Sequence, residues 1–313
     1  LRTACRMRDN LPEATDLATR YSHPQWLVSL LAETFGEEDA VKIMQSNNKI
    51  PSVYARVNTM RATTDEVLLQ LMNCGAVADE KTDVPNCITI EHMGDVEKQT
   101  AFKNGNITIC SKSSQLAAIA AGTAPGDMVL DVCAAPGGKT IIMAQGMENS
   151  GAIIACDVSE NKLSVIRKTA VRCGIKNIKT QCKDAREFDP TFEERFNVVL
   201  ADVPCSGLGM IGRKPEIRYK DEEEIKGLPE IQMAILKNVA KYVIPGGVLV
   251  YSTCTILPRE NEDIVNAFLA ENKDFEACSF ELPGIGAVPR DITLLPQLHG
   301  TDGFYMCKLR RKT

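Results

Sequence analysis

Apolar side chains recur at helical spacing through HPQWLVSLLAETFG and EEDAVKIMQ, within residues 21–48, and Gly36 interrupts the pattern, which predicts two short helices. Residues 53–58 read as a strand, 64–74 as a helix with Thr64 and Asp65 as capping candidates, and 87–91 as a second strand. A turn over 103–106 leads into a strand ending at Ile109, followed by a helix over 114–121 and the turn Pro125-Gly126-Asp127. Alternating elements this short predict a small α+β module.

After Gly126 the rhythm becomes strand, then helix, and it persists, which predicts a doubly wound, mostly parallel sheet. The strands expected are 128–132, 152–156, 178–182, 198–201 and 247–252, with helices near 140–147, 160–173 and 229–243. Two more strands, near 275–280 and 304–309, are placed to close the edge and bring the sheet to seven. The expected fold class is therefore α/β: a Rossmann-like domain over 111–313, preceded by a small α+β module over 21–110, with 1–20 as a linker.

A chain of 313 residues suits two domains of ordinary size. With 44% hydrophobic and 25% charged residues it has the composition of a soluble globular protein, and it contains no apolar run long enough for a membrane span. Residues 1–10 are polar and basic without the apolar core of a signal peptide, so a cytoplasmic setting is expected. The 12 cysteines are scattered without a C-x-x-C pair, so no metal site is expected, and reduced, buried thiols are the default reading for most of them. The acidic run at 221–224 reads as a solvated helix start. A net charge of −5 confines any nucleic-acid surface to local basic patches, for which residues 2–8, Arg213 with Lys214, and 310–312 are the candidates.

The segment VLDVCAAPGGKT, residues 129–140, is a buried strand running into a turn of small residues and then a helix. In a doubly wound sheet this first turn lies where ligands bind, because small residues let backbone N–H groups come close. A phosphate-cradling loop of the form G-x-x-x-x-G-K-[ST] requires glycine where Cys133 stands, and Ala134-Ala135-Pro136-Gly137-Gly138 does not supply G-x-G-x-x-G. S-adenosylmethionine remains. Its ribose hydroxyls call for a carboxylate at the end of the second strand, where Asp157 stands, and Asp184, just past the third strand, is placed to meet the adenine. Each acid alone would pass for a helix cap or turn residue.

The fourth strand ends in Asp202-Val203-Pro204-Cys205-Ser206-Gly207 and the fifth in Tyr251-Ser252-Thr253-Cys254-Thr255, so two cysteines and an aspartate converge on the cofactor edge. This set suits methylation of cytosine at C5. That carbon is a poor nucleophile until a thiolate adds to C6, so the chemistry requires a cysteine. Negative charge developing at N3 must be met by a proton donor or hydrogen bond, a role open to Asp202 if it holds a proton or bridges to the base edge, with Lys139 placed to steady its carboxylate.

Together CAAPGGKT, DVPCSG and STCT resemble the RNA 5-methylcytosine methyltransferases, and YSHPQWLV with RKPEI, residues 213–217, make the chain most similar to the branch that methylates bacterial 16S rRNA. The resemblance spans nearly the whole chain. It implies that Cys254 is the nucleophile and that Cys205 assists when the C5 proton leaves and the enzyme–RNA bond breaks. It also implies methyl-donor contacts from Cys133, Ala134, Ala135, Pro136, Gly137, Gly138 and Lys139, and from Asp157, Asp184 and Asp202. DNA cytosine methylases use the cysteine of a Pro-Cys pair instead, which keeps Cys205 open as the nucleophile. Members of this branch usually carry an N-terminal helical domain similar to the antiterminator NusB, and residues 1–20 are expected to be its linker remnant. The module over 21–110 is implied to position RNA, with Arg56 and Asn58 as contacts or as ordinary strand-end polar residues.

The substrate expected is 16S rRNA, with tRNA or 23S rRNA as alternatives. A silent RNA-binding assembly factor on the same fold has no chemical need for both cysteines and all of the acids. A methylase of proteins or small molecules leaves the paired cysteines without a role.

Overall fold

The computed structural model describes residues 14–80, 82–92 and 94–313. Most of the expected linker, and the basic patch at 2–8, lie outside the described residues. A short helix, Leu17–Tyr21, leads to α1 (Gln25–Phe35) and α2 (Glu37–Asn47), and Gly36 breaks them apart as expected with a φ of 80°. Their apolar stripes, including Leu27, Leu31, Ile43 and Met44, close on Leu208, Ile211, Ile256 and Leu257, which come from two distant segments. The helices therefore brace the loops that carry the site described below.

The second unit is an antiparallel sheet of β1 (Val53–Val57), β2 (Val77–Asp79), β3 (Cys87–His92) and β4 (Ile107–Ile109), in the order β2-β3-β1-β4. Helix α3 (Thr64–Asn73) lays Val67 and Leu71 on Ala55, Ile88 and Ile107. Its cap is Thr63, not Thr64 or Asp65. Thr63 Oγ1 accepts from Glu66 N at 3.3 Å, while Glu66 Oε2 accepts from Thr63 N at 2.8 Å, and this reciprocal pair places the cap one residue before the first candidate while the helix starts at Thr64 as expected.

Asn58 is fully buried, so it is not an RNA contact. Its Nδ2 donates to Gly105 O and to Cys173 O, both at 2.9 Å, and so joins the end of β1 to a helix of the larger unit. Arg56 is likewise turned inward, donating to Pro85 O at 2.5 Å. The units come close enough at this seam that a Cβ on Gly105 would lie 2.0 Å from Arg172 O.

The larger unit begins with α4 (Lys112–Ala121) and continues through β5 (Met128–Asp131), α5 (Gly138–Gly146), β6 (Ala152–Asp157), α6 (Glu160–Cys173), β7 (Ile178–Cys182) and β8 (Phe196–Asp202). It is completed by α7 (Leu228–Ala240), β9 (Val243–Thr253), α8 (Glu262–Glu271), β10 (Phe275–Ala277), β11 (Phe280–Leu282), β12 (Gly286–Val288), β13 (Asp291–Leu294) and β14 (Phe304–Arg311). The sheet order is β10-β14-β9-β8-β5-β6-β7, with β5 to β9 parallel and β14 antiparallel between β9 and β10. The seven expected strands are present, and β13 adds an eighth by pairing with β14.

The parallel strands are apolar at successive positions because both faces are covered. Val129, Ile153, Val198 and Leu200 enter a core with α5 and α6, whereas Leu130, Ile154, Val199 and Ala201 enter another with α7 and α8. Strand order reverses between β5 and β8, and the crevice at such a switch point is where this architecture takes ligands. The basic run at 310–312 lies at the other end of the sheet: Arg310 pairs with Val248, Arg311 bonds Glu194 and Val243 O, and Thr253 at the far end of β9 faces Tyr305. It is not beside the crevice.

Asn58→Ala is expected to lower the unfolding free energy by about 1–3 kcal/mol, the usual cost of stranding buried hydrogen-bond partners. Denaturant unfolding measures it, and an unchanged midpoint would remove Asn58 from the seam.

Candidate active site

Strand β5 ends in a carboxylate, Asp131, which is buried and accepts from Thr140 Oγ1 at 2.7 Å. Burial pushes its acid up to about 7, against the Thr140 hydrogen bond. The loop that follows is fastened to the neighbouring strand. Ala134 N donates to Cys156 O at 2.8 Å, and Ala135 N donates to Asp157 Oδ2 at 3.3 Å. The Ala135–Pro136 peptide is cis, and Gly137 has a φ of 105° with a Cβ site only 2.9 Å from Ile166, so glycine is required there on both counts. Residues 133–139 floor a cavity of about 560 Å³ that Asp131 and Asp202 also line. The nine-residue helix α5 starts in this wall, so unpaired backbone N–H groups gather there.

Beyond β6 and β7, Asp184 lines a second cavity of about 600 Å³ together with Phe188. Its carboxylate is bound twice by Arg186, at 3.0 Å from Nε and 2.5 Å from Nη2, and these hydrogen bonds hold it below the usual carboxylate range. Asp157 also accepts from Ser159 N at 3.0 Å, so one oxygen turns the chain after β6 and the other holds the first loop.

Strands β8 and β9 are paired in parallel with Asp202 opposite Ser252. Their ends therefore project at the same level, and the structure brings Cys205 and Cys254 together with their sulfurs 3.1 Å apart. Cys254 N also donates to Cys205 Sγ at 3.3 Å. Lys139 Nζ meets Asp202 Oδ2 at 2.6 Å, Ser252 Oγ donates to Asp202 Oδ1 at 2.9 Å, and Lys139 sits 5.1 Å over the Phe304 ring. Burial pulls the Lys139 ammonium down, but the Asp202 carboxylate more than offsets it and holds the lysine above its ordinary value.

The two thiols differ. The Cys205 hydrogen bond lowers Cys254 against its burial, and the Lys139 cation adds to that effect. The same hydrogen bond, burial and the Glu260 carboxylate all push Cys205 well up. Of the two, Cys254 is thus the thiol that ionises more readily, with the Cys205 thiol beside it placed to donate to the anion.

Arg213 does not offer a free cation. Its Nε donates to both oxygens of Asp302 at 2.7 Å and its Nη2 to Ser52 O at 2.9 Å, a three-segment tie at the rim of the cavity that residues 133–139 floor. Lys214 is exposed beside it. The run at 221–224 caps a helix as expected, with Asp221 accepting from Glu223 N at 3.3 Å. Sequence reasoning passed over Asp131, Ser252, Phe188 and the buried pair Glu260-Asn261. Asp131 had a signal: it is a lone carboxylate in the apolar run VLDV, directly before the small-residue turn.

With this geometry in view, the profile of the 16S rRNA methyltransferase RsmB/F family matches residues 118–310, and that of the ferredoxin-like domain of RsmF/B-like methyltransferases matches 23–97. The chain belongs to the 16S rRNA methyltransferase RsmB/F family. It is 39% identical, over 95% of its length, to the probable ribosomal RNA small subunit methyltransferase B of Bacillus subtilis, of which it covers 68%. It is similar to the crystal structure of PH0851, with a TM-score of 0.90 and 31% identity over 96% of this chain and 69% of that one. NSun6 from Pyrococcus horikoshii, solved with SFG, shares the fold at a TM-score of 0.82 and 24% identity, over 93% of this chain and 98% of that one. Among the described residues of this RsmB/F chain, no helix is long and apolar enough to cross a membrane.

Peptide-resolved carbamidomethylation of this RsmB/F chain across pH is expected to label Cys254 with a midpoint below that of a free thiol, about 8.5, and Cys205 only at more alkaline pH. Cys205→Ala removes the donor, so the Cys254 midpoint should rise. Equal labelling of both thiols at every pH would contradict the asymmetry.

Proposed function

We propose that this chain transfers a methyl group from S-adenosylmethionine to C5 of a cytosine in small-subunit rRNA, with Cys254 as nucleophile and Cys205 acting in product release. The observation that carries the reading is the thiol pair, 3.1 Å apart at two adjacent parallel strand ends beside Lys139 and Asp202. Methylation at a carbon that must first be activated by a thiol adduct gives the pair a use. Methylation of a protein or small molecule gives it none. The rRNA substrate rests on the family and on the name of the Bacillus subtilis relative.

The residues at the crevice fit the methyl donor. Asp131 lines the cavity that residues 133–139 floor, and its Oδ1 is buried without a hydrogen-bond partner, which suits the carboxylate to receive an ammonium group. The loop from Cys133 through Ala134, Ala135, Pro136, Gly137 and Gly138 to Lys139 would lie along the donor, Asp157 would take its ribose, and Asp184 with Phe188 its adenine. SFG in the NSun6 structure is an analogue of this donor. Bound S-adenosylmethionine supplies an electrophilic methyl group on a sulfonium.

The chain's own residues account for the remaining steps. The Cys254 thiolate bonds to C6 of the cytosine, and the electrons of the C5–C6 double bond become available at C5. Asp202, held in place by Lys139 and Ser252, serves N3 in its protonated form, donating that proton as negative charge reaches the ring nitrogen and recovering it when the adduct breaks down. Once Cys254 is bonded to carbon it no longer stands beside Cys205 as an anion, so Cys205 gives up its proton to solvent more readily. The Cys205 thiolate then takes the C5 proton, the double bond re-forms, and the Cys254–C6 bond breaks to return the Cys254 thiolate.

Cys254→Ala is expected to abolish both turnover and any covalent protein–RNA species, whereas Cys205→Ala should attack, methylate and accumulate the adduct. Denaturing gels of each variant with rRNA and S-adenosylmethionine read this directly. An adduct from Cys254→Ala and none from Cys205→Ala would make Cys205 the nucleophile. Mapping 5-methylcytosine in 16S rRNA with and without the gene tests the substrate. For the donor, calorimetry should show Asp157→Ala weakening S-adenosylhomocysteine binding by about 1–3 kcal/mol, and unchanged affinity would move the ribose site elsewhere.

A further inference from the structure

Two consecutive residues downstream of β9 divide their side chains between the two cysteines. Glu260 ends the single turn Pro258–Glu260, Asn261 precedes α8, and both have 0% exposure. Glu260 reaches the Cys205 loop. Its Oε2 accepts from Ser206 N at 2.8 Å and from Gln232 Nε2 at 2.9 Å, and the same Gln232 nitrogen donates to Pro204 O at 3.0 Å. Pro204 and Ser206 are the residues on either side of Cys205. Asn261 treats Cys254 in the same way: its Oδ1 accepts from Thr253 Oγ1 at 2.6 Å and its Nδ2 donates to Thr255 O at 3.2 Å. Ser206 Oγ donates to Thr255 Oγ1 at 2.8 Å and ties the two loops together.

Stability alone does not account for these choices. Asparagine is a preferred N-cap, and Asn261 stands at the N-cap of α8, yet its side chain makes no capping bond because it is turned to β9. Glu260 is satisfied by a backbone N–H and an amide rather than by a cation, and its Oε1 has no partner, a costly arrangement for a buried carboxylate. Asn261 thus uses its side chain on the β9 end rather than on its own helix, and Glu260 leaves one oxygen unpaired while holding the Cys205 loop.

We propose that Glu260 and Asn261 are positioning residues for separate halves of the reaction: Asn261 sets Cys254 for attack on C6, and Glu260, with Gln232, sets Cys205 for release. This rests on the two-thiol reading above. A reacting atom misplaced by about 1 Å costs on the order of 100-fold, and each cysteine is gripped by its two neighbours.

The test uses the full chain with rRNA and S-adenosylmethionine, and it reads turnover, covalent adduct and thermal unfolding together. Asn261→Ala is expected to slow adduct formation by about 100-fold. Glu260→Ala should form the adduct near the wild-type rate but release it about 100-fold more slowly, so that adduct accumulates as with Cys205→Ala. Glu260→Gln keeps an acceptor for Ser206 and Gln232 and should restore release. If an alanine variant fails to fold, Asn261→Asp, which keeps the acceptor for Thr253 and loses the donor to Thr255, and Gln232→Leu read the same two arms. Loss of both steps in proportion to the fall in Tm overturns the assignment, as does wild-type partitioning in both arms. A wild-type chain that methylates while Cys205→Ala traps no adduct fails the two-thiol reading itself, and so takes the inference with it by a different route.

Discussion

Everything at the crevice depends on the register between β8 and β9. The two strands are neighbours and run parallel, so their carboxyl ends open on one edge, and Ala201 opposite Tyr251 followed by Asp202 opposite Ser252 sets the level of each end. A slip of one residue would move a strand end by about 3.3 Å and turn its side chains to the other face. The sheet cannot make that slip, because both faces are covered: Leu200 and Val250 belong to one core, Ala201 and Tyr251 to the other. Contact between the thiols is thus a consequence of apolar packing well below them.

Packing brings the strand ends to one level, and a polar layer then fixes the loops. Ser206, Gln232, Thr253, Thr255, Glu260 and Asn261 are all at 0% exposure and bonded to one another or to the loop backbone. Bonds in such a layer are strong while water is kept out, and the two oxygens left without a partner, Glu260 Oε1 and Gln232 Oε1, are its costly members. Exclusion of water falls partly to α1 and α2, whose stripe covers Leu208, Ile211, Ile256 and Leu257, the apolar residues next beyond the polar ones. The N-terminal helices, remote in sequence from either cysteine, are therefore part of the support of both.

Legibility in the sequence follows the range of the forces involved. The parallel strands were readable because burial on both faces writes continuous apolar runs, and the first loop because its small residues stand at a fixed place after such a run. The start of β9 was read at 247 rather than 243 because Pro245-Gly246-Gly247 looks like a boundary, whereas the strand absorbs it with a register shift opposite β8. Strand β13 and the β11–β12 hairpin carry too few residues between Gly and Pro to show a period. Asn58 and Arg213 read as RNA contacts because a polar residue near a strand end looks the same in sequence whether it meets solvent or bonds Cys173 O or Asp302. Glu260 and Asn261 were illegible for the same reason: Glu260 is bonded by Ser206 N and Gln232 Nε2, 54 and 28 residues away, and Asn261 by a hydroxyl and a carbonyl of the β9 end, which no spacing in the sequence announces.

The asymmetry of two chemically identical thiols is the last consequence of this arrangement. Lys139 enters from α5 and its charge favours an anion on Cys254, while Glu260 enters from beyond β9 and its charge disfavours one on Cys205. Neither charge is free to act on both sulfurs alike. Lys139 is anchored by Asp202, and Asp202 by Ser252; Glu260 is anchored by Ser206 and Gln232. The hydrogen bond between the thiols is the largest influence on both, and the Asp202 carboxylate opposes an anion on either sulfur, so the charges of Lys139 and Glu260 add to an asymmetry that the contact itself sets up. A hydrogen bond between like groups has no preferred direction of its own, so the direction is imposed by the fold. Division of labour between the cysteines therefore rests on their contact, which the register of β8 and β9 sets, and on the unequal surroundings that the sheet edge and the segment after β9 give each sulfur.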